Sequence, residues 1–130
     1  PSLVVDDYGK IGLAYEDEQA RDKAARELGV SGRLNVQRER GRVTVALTGL
    51  EDPPQQVHLT LAHPTEAARD RSATLERTGD ALYRGEFDEA APGRRYVTLL
   101  PGDRRWRLAG ELLATETDLS LKPPADPSAR

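Results

Sequence analysis

Residues 33–62, RLNVQRERGRVTVALTGLEDPPQQVHLTLA, decide the fold. Leu34 and Val36, then Val43, Val45 and Leu47, then Val57, Leu59 and Leu61 alternate with polar neighbours. A period of two is the signature of half-buried strands, because successive side chains point to opposite faces. The breaks between the runs are turns: Glu39 to Gly41 suits a tight hairpin, and Gly49 to Pro54 carries a proline pair that cannot join a central ladder.

The same period continues downstream, predicting strands at Ala73–Arg77, Leu82–Phe87, Arg95–Leu100 and Arg105–Leu113. Turns at Thr78-Gly79-Asp80, Pro92-Gly93 and Pro101-Gly102-Asp103 separate them. Upstream the period changes: Ala20, Ala24, Ala25 and Leu28 fall at helical spacing behind an acidic first turn, and Gly29 is placed to close the helix in a left-handed conformation. The expected fold is mostly β, an antiparallel immunoglobulin-like β-sandwich of about seven strands with one N-terminal α-helix. With no cysteine, the Cys-Trp-Cys core of a true immunoglobulin domain is unavailable. The expected organisation is an extended lead-in over 1–16, a helix over 17–29, the sandwich over 33–121 and a disordered tail over 122–130. Thr117 to Leu121 has the makings of an added edge strand, and the KPPADPSAR that follows is too polar and proline-rich to order itself.

A chain of 130 residues fits one domain. Its apolar fraction of 37% is low and its charged fraction of 32% high, so a thin core and a heavily solvated surface are expected. Nineteen basic against 22 acidic residues, scattered among one another, give no electrostatic reason to expect nucleic-acid binding. The lack of cysteine removes disulfides, thiolate metal sites and cysteine nucleophiles, and with no methionine either, soft copper ligation has nothing to work with. No run of about 18 apolar residues is present to span a membrane. The start at Pro1 without any methionine leads us to expect a processed piece of a longer chain, with any anchor upstream.

Chemistry-bearing residues are few. His58 and His63 fall on opposite strand parities, which argues against a joint metal site. No serine sits in a nucleophile elbow, and a triad would have to draw on those same two histidines. Asp6-Asp7 and Glu16-Asp17-Glu18 lack the ligand spacing of a calcium loop, and Gly9 and Gly12 precede no phosphate-cradling turn. No catalytic, metal-binding or cofactor-binding residue is therefore assigned. His63-Pro64-Thr65 with Asp70 reads foremost as loop architecture, with a direct ligand role as the lesser alternative. Trp106 alternates with Leu108 and Leu112 as a core residue does, whereas Tyr8 and Tyr15, in the lead-in, are better placed to touch a partner.

Taken together, LVVDDYGKIGLAYEDE, the following RDKAARELG, LTLAHPTEAARD, LYRGEF and RRYVTLLPGDRRWRLAGEL give the chain a resemblance to the FixH family, the CcoH-type assembly proteins of cbb(3)-type cytochrome c oxidase. The resemblance places His63, Pro64, Thr65, Asp70, Tyr83, Gly85, Trp106, Arg107, Leu108 and Gly110 on the family's motif positions, fold markers as readily as function markers. Where the family carries paired tyrosines before Lys-x-Gly, Tyr8 here is followed by Gly9, Lys10, Ile11 and Gly12.

What the resemblance implies is a transmembrane helix just upstream of Pro1, this domain in the periplasm, and an association with nitrogen fixation. It also implies a non-catalytic role in assembling or stabilising the oxidase, with oxidase subunits as partners beside a copper-exporting P-type ATPase. Asp7, Tyr8, Lys10 and Tyr15 are then the candidate partner contacts. The lead-in, the helix face or an exposed strand edge would carry the interaction. Two other readings stay open: a periplasmic copper-handling factor and a generic ligand-binding sandwich.

Overall fold

The computed structural model describes residues 17–87 and 91–124. A helix, α1, runs over 17–28, followed by eight strands. These are β1 (Ser31–Gln37), β2 (Arg42–Thr48), β3 (Gln56–Ala62), β4 (Arg71–Arg77), β5 (Leu82–Glu86), β6 (Arg95–Pro101), β7 (Leu108–Leu112) and β8 (Asp118–Leu121). The expected antiparallel β fold with one N-terminal helix is what the chain adopts, with β8 as an eighth strand. All pairings are antiparallel, in the order β7-β6-β3-β4-β5-β2-β1-β8.

Two thin seams divide this sheet into four-stranded halves. β4 meets β5 through only two residue pairs, Glu76 with Arg84 and Arg77 with Tyr83. β7 and β8, the outermost strands in the order, face each other and are joined by the single bridge Ala109–Lys122. The sheet is thus a sandwich that nearly closes on itself. Near-closure pairs only part of the edges on which a foreign strand could add. Both outer strands are short, five residues in β7 and four in β8.

Inward parity builds the core as the sequence pattern requires. Leu34, Val36, Val43, Val45, Leu59 and Leu61 are all buried, joined by Leu75, Tyr83, Val97 and Leu99 from the later strands. Gly85 shows how tightly the halves pack: a Cβ there would lie 2.3 Å from Leu75 Cδ2 and 2.9 Å from the Thr74 carbonyl oxygen. Only glycine fits.

One end of the sandwich is closed by α1. Gly29, at φ +69°, ends the helix, with its N–H donating to the Arg26 carbonyl and that of Val30 to the Ala25 carbonyl. This reciprocal cap satisfies carbonyls the helix would otherwise orphan and turns Val30 into the core. Ala25 is buried on the same side. Gly49 lies directly against this cap, where a Cβ would come within 2.3 Å of the Gly29 carbonyl oxygen.

Two of the boundary differences from expectation have a tertiary cause. β7 begins at Leu108, three residues later than predicted, because Arg104 adopts φ +58° and the 104–107 segment leaves the β6 ladder to meet α1. The tail expected to be free from Lys122 is held through Pro124: Lys122 bridges to Ala109, and the Pro124 carbonyl accepts from Arg26 at 2.6 Å. Polar composition predicted a free tail, but a guanidinium on the neighbouring helix supplies the partner that the tail's own sequence lacks.

Candidate functional site

The motif residues divide between the two ends of the sandwich. Far from α1, β3 turns into β4 at a corner that His63 and Asp70 build. The His63 ring Nδ1 accepts the backbone N–H of Thr65 at 3.2 Å and of Glu66 at 3.0 Å, while the Asp70 carboxylate accepts the His63 N–H at 2.7 Å. A short 3-10 turn, Ala67–Arg69, fills the corner, and Pro64 leads into it. The imidazole here acts as a local cap, in the way Asx side chains do in turns.

Arg95 lies beneath that corner. It is 1% exposed, and its guanidinium donates to the carbonyls of Pro92, Leu61 and Arg69. Burial pushes its pKa down, the nearby Arg71 adds to this, and Asp70 opposes it. An arginine still keeps its proton in such a site, so the charge is held by carbonyl dipoles. Arg38, from the β1–β2 turn, does the same for the neighbouring loops, donating to Glu116 at 2.9 Å, Gly93 at 2.6 Å and also to Leu113. Neither arginine was singled out from the sequence. Arg95 did carry a signal: it shares the inward parity of Val97 and Leu99, where a charged residue needs a buried partner.

At the helix end, Trp106 is 4% exposed although it lies outside any strand. Arg107 beside it reaches Glu18 at 3.0 Å and Asp22 at 3.2 Å. Asp22 and Arg107 are not aligned for a hydrogen bond, so the contact is Coulombic. Burial outweighs that attraction and raises the Asp22 pKa. Arg21 adds a bond to the Arg104 carbonyl at 3.0 Å. Leu108 is buried, Gly110 makes room for Leu119, and the buried Tyr83 sends its hydroxyl to the Pro54 carbonyl. Between α1 and the β2–β3 crossover, packing leaves a groove floored by Leu28, Leu50, Pro53, Pro54 and Trp106.

Every described motif residue thus fixes a loop, the helix or the core. His58 faces outward and pairs with the Thr74 hydroxyl at 3.1 Å, apart from the His63 corner. No cluster of three or more His, Cys, Asp or Glu able to hold a metal occurs among the described residues. Asp7, Tyr8, Lys10 and Tyr15 lie outside the described residues.

Such an arrangement defines a class: a small antiparallel β-domain capped by a helix, whose polar motif residues are committed to its own architecture. The chain belongs to the FixH family, whose model matches residues 1–113. No curated protein and no solved structure matches it.

Proposed function

We propose that this chain is a non-catalytic accessory factor that acts by protein–protein contact in the assembly or stability of a cbb(3)-type cytochrome c oxidase. The observation that carries this reading is the FixH match over residues 1–113. It is supported by the use of His63, Asp70, Arg95 and Arg107 as internal struts. On this reading the domain stands in the periplasm on an upstream membrane helix, and oxidase subunits, with a copper-exporting P-type ATPase nearby, are its partners. Copper transfer by the domain itself has less support, because the chain offers no cysteine or methionine to a soft cation.

In a strain lacking the gene, the amount of assembled cbb(3)-type oxidase falls and the wild-type gene restores it. Tyr8→Ala or Asp7→Ala leaves the domain folded and at its normal level but restores oxidase poorly. Normal oxidase in the deletion strain contradicts the function. Full restoration by both variants removes the lead-in as the contact.

A further inference from the structure

The groove at the helix end has a volume of about 710 Å³, within the size range of sites that hold a ligand. Beside its apolar floor stand four carboxylates, Glu27, Glu51, Asp52 and Asp103, against the single guanidinium of Arg105. Asp103 is paired with Arg105 at 3.2 Å, and Glu27 approaches Lys23 at 3.9 Å. Glu51 and Asp52 have no hydrogen-bond or ion-pair partner among the described residues, and both are exposed. Leu28, at the mouth, is 49% exposed, one turn on from the buried Ala25. Apolar floor and unpaired acids lie side by side.

The walls are fixed in advance. Tyr83 donates to the Pro54 carbonyl and Arg77 to the Pro53 carbonyl at 3.2 Å, while the Gly29 cap packs on Gly49. A preformed wall lowers the ordering cost of binding. We infer that this groove docks a short segment of a partner protein in which leucine-sized side chains are flanked by arginine or lysine. The apolar side chains cover Leu28, Leu50, Pro53 and Pro54, and the cations meet Glu51 and Asp52. The same carboxylates repel nucleic acid and anionic lipid. This inference deepens the partner-contact reading above and rests on it for the partner's identity, though not for the groove's chemistry.

The probe is the peptide acetyl-Arg-Leu-Arg-Leu-Arg-amide, titrated calorimetrically into the 130-residue chain. Trp106, the only tryptophan, reports occupancy through its emission. Saturable binding with an emission change is expected, weakened roughly tenfold by the double variant Glu51→Lys/Asp52→Lys. It also weakens at about 1 M salt, where the screening length falls to about 3 Å. Absence of binding, equal binding of the Glu-Leu-Glu-Leu-Glu or Arg-Ser-Arg-Ser-Arg analogue, or unchanged affinity in the folded double variant overturns the inference. The two readings also separate. If full-length protein captures oxidase subunits equally well with and without the double variant, the groove is not the contact and the assembly function stands. If the peptide binds as described but no subunit is captured, the groove chemistry stands and the assembly function fails.

Discussion

Trp106→Ala lowers the free energy of unfolding by about 3–5 kcal/mol, the range for truncating a large aromatic in a core. Trp106 joins the buried core from a loop, without a ladder to hold its backbone. Removing the indole therefore opens a cavity and also releases the 104–107 segment that Arg21 and Asp22 grip. Urea unfolding reads the effect as a lower midpoint, with the slope unchanged if the fold itself survives. Trp106→Phe recovers part of the loss. A midpoint equal to wild type in the alanine variant would mean that Trp106 is not packed in the core.

Arg95→Met costs about 2–3 kcal/mol, for a different reason. The methionine keeps much of the apolar stem, so the loss is of the donors to Pro92, Leu61 and Arg69. Carbonyls stripped of their partners in a buried corner bear the desolvation penalty, and relief from burying a charge offsets only part of it. Arg95→Lys is intermediate, because one ammonium cannot span carbonyls that a planar fork reaches together. If Arg95→Met matches or exceeds wild-type stability, the buried charge is a net burden and the corner does not depend on it.

The strands and the helix were legible because their signals are local. The alternation from Leu34 to Leu61 and the Ala24, Ala25, Leu28, Gly29 ending each lie within a few residues. Closure between Ala109 and Lys122 was not, since it joins strands at opposite ends of the sheet order. The late start of β7 depends on Arg107 meeting Asp22, a contact between distant parts of the chain. Much the same holds for the corner. His63 and Asp70 could be read as turn formers from seven residues' separation, whereas the carbonyls that hold Arg95 come from three different segments. The groove was invisible for that reason as well: Leu28, Glu51 and Trp106 belong to three segments that only the folded chain brings together.

Whether this domain contacts the oxidase is read by capture from membranes. The full-length protein is extracted from native membranes in mild detergent and purified through an affinity tag, and the proteins that come with it are identified. Enrichment of cbb(3)-type oxidase subunits with the wild-type protein over an untagged control is expected. Recovery of the protein without oxidase subunits, under conditions where the oxidase itself stays intact in the extract, would contradict it.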